Sequence, residues 1–267
     1  MKPKLVVIGA AGRMGKRILS LAAESGQFDI IGAVERQDHP DIGKDASVLT
    51  GIEPLNVELA HFYPYPADAD VAIDFSMPVA AVKTIDYCLE SNVALVLGTT
   101  GLSDEQHEKV KAASKKIPIL YATNMSIGMN VLFSLVGRVA SMLGDEYDIE
   151  IVEQHHRFKK DAPSGTALTL AEKIHSATGR DWPGALTYGR SGRDTLRQKG
   201  TIGIHAVRAG DITGIHSVLF STLGETITIT HTAHSRDTFA RGALQAAQWL
   251  VGKKPALYSM ADVLGID

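Results

Sequence analysis

The sequence lacks most of what would place it outside ordinary globular proteins. Its single cysteine, Cys88, has no partner for an intrachain disulfide, so the chain suits a reducing compartment, and Cys88 reads as buried packing. Neither sign of charge dominates: 27 Lys and Arg stand against 30 Asp and Glu, and a net charge of -3 argues against nucleic acid as the main partner. No apolar run approaches membrane-spanning length. Leu5-Val6-Val7-Ile8 follows Lys2 and Lys4 in the manner of a secretory leader, but Gly9, Gly12 and Arg13 interrupt it at once. Internal repeats, low-complexity tracts and Gly/Ser-rich linkers are missing too. These absences predict a soluble, cytoplasmic protein. Its 267 residues, 45% of them hydrophobic, suit one large or two moderate domains with a sizeable core.

The densest chemistry lies in Glu153-Gln154-His155-His156-Arg157-Phe158-Lys159-Lys160-Asp161-Ala162-Pro163-Ser164-Gly165-Thr166-Ala167. Residues 147–152 before it alternate polar and apolar, as a half-buried strand does, and residues 167–174 after it have helical spacing. Pro163 and Ser164 are helix-start residues. A helix beginning near Ser164-Gly165-Thr166 turns unpaired N–H groups and the positive end of its dipole toward an anion, and Gly165 lets a carboxylate come close. Lys159 and Lys160 add charge, and a histidine can donate a proton near neutral pH. Taken singly, a His-His pair is usually structural and a Lys-Lys pair a solvated face. Their coincidence with a helix start describes a site for an anionic substrate that needs a proton. Neighbouring strand residues point to opposite faces, so His155 and His156 are poorly placed to share a metal ion, and no metal is expected.

The first half alternates strand and helix. Residues 5–8 form a short apolar run, Gly9-Ala10-Ala11-Gly12-Arg13-Met14-Gly15 a glycine turn, and residues 16–24 a helix. Such glycines permit the tight turn, close approach of a pyrophosphate and close helix packing. The next strand, 28–34, ends at Glu35, about 20 residues past the turn, where a dinucleotide fold places its ribose-binding acid. Arg36, Arg13 and Lys16 offer cations for a 2′-phosphate, so the choice between NADH and NADPH stays open. Short strands are expected around Val57 and Phe62, then strands at 71–76, 93–97 and 117–121, with helices from Pro78 to Leu89 and, behind a Ser103-Asp104-Glu105-Gln106 capping box, to about Lys116. Gly98-Thr99-Thr100-Gly101 follows a strand end, where open α/β sheets bind ligands, and the strand at 117–121 ends at Ala122-Thr123-Asn124-Met125. The fold predicted is a doubly wound parallel sheet of Rossmann type.

After a helix at about 129–143 the texture changes to strands at 202–207, 215–221 and 226–232. Turns at Gly210-Asp211 and Leu223-Gly224-Glu225 lie between them and predict that these strands are antiparallel. The basic 180–200 loop, with Arg190, Arg193, Arg197 and Lys199, suits a lid, a subunit contact or a plain exposed loop. The amphipathic helix 238–251 is expected to pack back on the first domain. The boundaries predicted are 1–126 with 236–267 for a discontinuous dinucleotide-binding domain, and 127–235 for an α+β domain with a mostly antiparallel open sheet.

The 153–167 segment carries every fixed position of the Glu-x-His-His-x-x-Lys-x-Asp-Ala-Pro-Ser-Gly-Thr-Ala signature of the 4-hydroxy-tetrahydrodipicolinate (dihydrodipicolinate) reductase family, which the chain resembles throughout. The resemblance implies NAD(P)H-dependent reduction of a cyclic dicarboxylate in lysine and diaminopimelate biosynthesis, by a homotetramer. It implies His155 as general acid, Lys159 as its helper or a substrate holder, and His156, Ser164, Gly165, Thr166 and Arg236 as substrate contacts. It places Gly9 to Gly15, Glu35, Arg36, Gly98, Thr99, Thr100, Thr123, Asn124 and Met125 at the cofactor. The chain departs from the family at Met125, where many members carry an aromatic residue, which bears on ring stacking and not on the fold. Alternatives are another nicotinamide-dependent dehydrogenase of a small acid, which needs no Glu-x-His-His run, a non-catalytic dinucleotide sensor, which needs no poised histidine, and an interaction protein docking through the antiparallel sheet.

Overall fold

The structure, a computed structural model, describes residues 1–64 and 68–266; residues 65–67 and Asp267, both within the first predicted domain, lie outside the described residues. The chain divides into two compact units, Met1–Ile127 with Arg236–Ile266, and Gly128–Ser235.

The first unit contains β1 (Lys4–Ile8), α1 (Arg13–Ser25), β2 (Asp29–Val34), β3 (Leu59–Ala60), β4 (Val71–Asp74), α2 (Pro78–Ser91), β5 (Ala94–Leu97), α3 (Asp104–Ser114) and β6 (Pro118–Tyr121). The second begins with α4 (Ile127–Leu143) and holds β7 (Asp148–His155), α5 (Gly165–Thr178), β8 (Leu186–Tyr188), β9 (Ile202–Arg208), β10 (Gly214–Thr222) and β11 (Glu225–Ala233). The chain then returns to the first unit with α6 (Asp237–Leu250), β12 (Ala256–Tyr258) and α7 (Met260–Leu264).

All seven strands of the first sheet are parallel, in the order β12-β6-β5-β4-β1-β2-β3. Both faces are covered, which is why its central strands are unbroken apolar runs. Period-two alternation divides β1: Leu5 and Val7 join a core with Ile18 and Leu19 of α1 and Ala243 and Leu250 of α6, whereas Val6 and Ile8 face Ile85 and Cys88 of α2 and Val110 of α3. Cys88 is buried, and burial pushes its thiol pKa up. The strand order reverses direction between β1 and β4, the position at which open α/β sheets bind ligands.

The second sheet runs β11-β10-β7-β9-β8. Here β10 is antiparallel to both β11 and β7, while β9 is parallel to both β7 and β8. Strands 202–207 and 215–221 therefore run antiparallel, as the turn at Gly210-Asp211 predicts, but they are not neighbours in the sheet. That turn reverses the chain, but β7 lies between the two strands and bonds both. A turn signal reports reversal of direction and not which strand sits alongside. Ile149, Ile151, Ile204, Val218 and Phe220 pack against Met129, Leu132 and Val136 of α4 and Leu170 and Ile174 of α5.

Three further differences are local. The strands expected around Val57 and Phe62 are replaced by the two-residue β3 between them; the Val57 carbonyl accepts from the Ala46 N–H instead, and the Phe62 side chain is exposed. Strands β8 and β12 and helix α7 were not predicted, being too short to show a period.

Helix α6 is fixed to the first unit by close approach. A Cβ at Gly242 would stand 1.7 Å from the Met125 carbonyl oxygen, and Ala240, Ala243, Ala246 and Ala247 are all buried. At its start, Asp237 takes both Nε and Nη2 of Arg17, at 2.7 and 2.9 Å, tying α6 to α1. Gly242→Ala should lower the unfolding free energy in urea by at least about 1–3 kcal/mol, the usual cost of overpacking a core. Wild-type stability in that variant would refute this packing.

Candidate active site

In the second unit the centre of the site is a carboxylate. Period-two alternation puts Glu153 and His155 on the same side of β7, and the Glu153 side chain is 0% exposed. One oxygen lies 2.5 Å from Nδ1 of His155, and the other accepts the backbone N–H of Ser164 at 3.0 Å. Arg208, opposite His155 on β9, donates to both oxygens at 2.8 Å and to the Asp161 carbonyl at 2.5 Å. Burial alone pushes the Glu153 pKa up, but the bonds from His155, Arg208 and Ser164 outweigh it and hold the pKa at about 2. Glu153 is therefore ionised at neutral pH and can only accept. His155 must carry its proton on Nδ1 when neutral, which leaves Nε2 as the atom that gains and gives the second proton. Nε2 lies toward Gly214, where a Cβ would come within 3.3 Å of it.

Ser164 caps α5: its hydroxyl accepts the Ala167 N–H at 3.2 Å and lies 3.2 Å from Nε2 of His216. Burial, with His155 beside it, pushes the His216 pKa down to about 3, so this ring is neutral, and it meets the His155 ring edge-on at a centroid distance of 5.1 Å. With both its N–H and its hydroxyl engaged, Ser164 shapes the helix start, while the Cβ position of Gly165 faces open space. Thr166 and His156 are half-buried, Thr166 in the first turn of α5 and His156 in the turn that follows β7. Lys159 reaches Asp161 at 2.9 Å.

The basic loop behaves otherwise. Arg190 and Arg197 both bond Glu150, as does His205, and Lys199 pairs with Glu146, so these cations are matched within the second unit.

In the first unit the glycine turn is built by space. Gly9 has φ +74°, its N–H and that of Ala10 donate to the Val34 carbonyl, and a Cβ at Gly15 would stand 2.2 Å from the Gly9 carbonyl oxygen. Gly12 precedes α1 with no side-chain cap, and Arg13 is exposed beside it, with Ala11 and Met14 partly buried. Glu35, after β2, accepts from Ala11 N at 3.0 Å and from Arg36 N at 2.9 Å, so the acid lies against the turn. Arg36 is exposed and pairs with Asp38 at 3.3 Å.

Arg236, at the start of α6, belongs to the first unit, where burial and the neighbouring Arg13 push its pKa down. Gly98 is held against the Phe75 ring, 2.4 Å from a would-be Cβ, Thr99 is buried, and Thr100 and Thr123 are exposed. The Asn124 side chain accepts the Ser126 N–H at 2.9 Å. The Met125 side chain is 1% exposed and sits in the core with α6, which leaves only its backbone for a ligand. Among the described residues no cluster of His, Cys, Asp and Glu is arranged to hold a metal.

Sequence reasoning missed Arg208 and His216, and gave Glu153 no role of its own. Glu153 could have been found from its i−2 spacing to His155 on one strand face; Arg208 and His216 come from other strands, and only the sheet order brings them in.

The chain matches the family description "Dihydrodipicolinate reductase, N-terminus" over residues 3–125 and "Dihydrodipicolinate reductase, C-terminus" over residues 128–264. It is 48% identical to the 4-hydroxy-tetrahydrodipicolinate reductase of Anaeromyxobacter dehalogenans (strain 2CP-C), covering 98% of each chain. It is 43% identical to that of Citrifermentans bemidjiense, covering 98% of this chain and 99% of the relative. In fold it is similar to the dipicolinate-bound dihydrodipicolinate reductase of Paenisporosarcina sp. TG-14, with a TM-score of 0.75 at 22% identity over 98% of this chain and 99% of the other. Over both units, then, the chain belongs to the dihydrodipicolinate reductase family.

Proposed function

We propose that His155 is the proton donor in the NAD(P)H-dependent reduction of 4-hydroxy-tetrahydrodipicolinate to tetrahydrodipicolinate, the family's step in lysine and diaminopimelate biosynthesis. What carries the reading is the Glu153 carboxylate, which holds both the acid and the first N–H of the helix start that faces the substrate.

The first unit fits NADH or NADPH. A turn that only glycine can make at Gly9 and Gly15, at the point where the strand order reverses, leaves room for a pyrophosphate at the start of α1, with Glu35 and Arg36 at the adenosine ribose. Gly98, Thr99, Thr100, Thr123, Asn124 and the Met125 backbone border the nicotinamide end. The bound nicotinamide supplies the hydride.

In the second unit the Gly165 and Thr166 backbone at the start of α5 seats one carboxylate of the cyclic substrate, and Ser164 keeps that turn in shape. His156, Lys159 and Arg236 supply the polar and cationic contacts. Once the ring has lost its 4-hydroxyl group as water and taken up hydride at that carbon, His155 gives its Nε2 proton to the neighbouring carbon carrying the developing negative charge, while Glu153 steadies the imidazolium through Nδ1. The Paenisporosarcina protein holds dipicolinate, a planar ring with two carboxylates, which is the shape such a pocket suits.

The chain acts in the cytoplasm, and no described helix is long and apolar enough to cross a membrane. It assembles as a homotetramer through the face of the second sheet turned away from α4 and α5, where alternation leaves Val152, Val207, Ile215 and Leu219.

Cofactor oxidation, followed by absorbance with substrate generated in place from pyruvate and aspartate semialdehyde by the preceding synthase, tests the reaction; binding without turnover would favour the sensor. The rate ratio with NADH and NADPH reports whether Glu35 or its neighbouring cations govern the ribose. His155→Gln should lower kcat by roughly a hundredfold or more with NADH binding unchanged, and unaltered kcat would remove His155 as the acid.

Glu153 has a lowered folded-state pKa, so its contribution to stability is present above about 4.5 and is lost as pH falls toward about 2. Glu153→Gln strands Arg208 and should cost about 3–5 kcal/mol at pH 7, the range for breaking a buried pair. It should also flatten the dependence of stability on pH across that acid window; an unchanged acid profile in urea titrations would show that Glu153 is not the group responsible.

A further inference from the structure

The first unit contains one buried carboxylate that the proposed chemistry does not use. Asp74 ends β4 beside Ile8, the end of β1, at the place where the strand order reverses direction, and it is 0% exposed. One oxygen accepts three bonds: from the Ser76 N–H at 2.8 Å, from the Ser76 hydroxyl at 2.7 Å and from the Thr99 hydroxyl at 2.8 Å. The other oxygen is buried without a partner among the described residues. A lone buried acceptor is costly, and a half-satisfied acid is not what packing alone selects.

The three bonds run to the turns that follow β4 and β5; the first of these is wedged against the glycine turn, and the second against the first. A Cβ at Gly9 would stand 3.0 Å from the Phe75 carbonyl oxygen and the Ser76 Cα, and one at Gly98 would stand 2.4 Å from the Phe75 ring. Asp74 thus anchors the turns after β4 and β5, and the turn after β1 packs on the first of them.

We propose that Asp74 is a positioning residue of the cofactor site: it holds the Phe75-Ser76-Met77 and Gly98-Thr99-Thr100-Gly101 turns in the one arrangement that receives the dinucleotide. The proposal rests on the reading of the first unit as the NAD(P)H site. Asp74 lies beneath the turns and acts through Thr99 and Ser76 without touching the ligand. It should govern cofactor affinity and leave the chemistry of the second unit alone.

The test compares Asp74→Ala, Asp74→Asn and Thr99→Val in the full chain, with NADH binding read by fluorescence titration and turnover by the synthase-coupled assay. Asp74→Ala should weaken NADH binding and raise its KM by roughly tenfold or more, since at least one bond of each turn is lost, while substrate KM and kcat at saturating NADH stay within about threefold. Asp74→Asn keeps the acceptor oxygen and should recover most of the affinity. Thr99→Val removes one bond and should give a smaller loss in the same direction, which keeps the proposal open to test if Asp74→Ala does not fold.

Unchanged NADH binding in both Asp74→Ala and Thr99→Val would overturn it, as would equal losses in cofactor KM, substrate KM and kcat. An Asp74→Asn variant no better than Asp74→Ala would also overturn the acceptor role. If the wild type binds NADH but shows no turnover, the reductase reading fails, and the binding titration still decides on Asp74.

Discussion

The second unit depends on one ionised carboxylate kept out of water. Glu153 survives there because four donors converge on it: His155 Nδ1, the Ser164 N–H and the two arms of Arg208. Removing any one leaves a charge or polar group uncompensated in a low-dielectric place, so the network is fully formed or it is a liability. This requirement accounts for features that look unrelated in the sequence. Strand β9 must run parallel to β7 in the register that sets Arg208 opposite His155. The chain after β7 must fold back so that Ser164 reaches a residue 11 positions earlier. His216 must remain neutral, since a further buried cation would compete for Glu153, and burial holds it so.

The first unit meets a different constraint, one of space. Its ligand-facing edge is set by backbone that comes too close for a side chain: 2.2 Å at Gly15, 2.4 Å at Gly98 and 1.7 Å at Gly242, measured to where a Cβ would stand. The Gly98 and Gly242 contacts join elements distant in sequence, and α6, arriving after the whole second unit, supplies the second of them. Charge enters only at the margin, where Glu35 lies against the turn and Arg13 and Arg236 stand near each other.

These two kinds of constraint decide how much was legible in the sequence. Parallel strands buried on both faces write themselves as apolar runs, and the glycine turn as a spacing, so β1, β4, β5 and β6 and their helices could be read directly. The 153–167 segment was legible because its donors are contiguous. Sheet order was not: neighbours in the second sheet are chosen by which strand satisfies Glu153 and covers Ile149 and Ile151, and no local signal records that choice. Arg208 and His216 stayed hidden for the same reason, one looking like a loop-end cation and the other like a strand histidine. At Met125 the family position implied a cofactor contact, and the unbranched apolar side chain turns into the core, which leaves its backbone for that role.

The division also separates what each unit is sensitive to. A site set by ionised groups responds to protons: once Glu153 is protonated, it no longer requires a proton on Nδ1 of His155 or a cation at Arg208, and the order of the helix start weakens with it. A site set by close backbone is intolerant of a single added methyl group. Loss of the Glu153 charge therefore acts on the second unit, and an added methyl group at Gly9, Gly15 or Gly98 on the first. Asp74 joins the two principles, because its bonded oxygen holds the turns whose shape the glycines then exploit. A carboxylate can serve an active site without meeting a ligand, by deciding where the backbone that does meet it will lie.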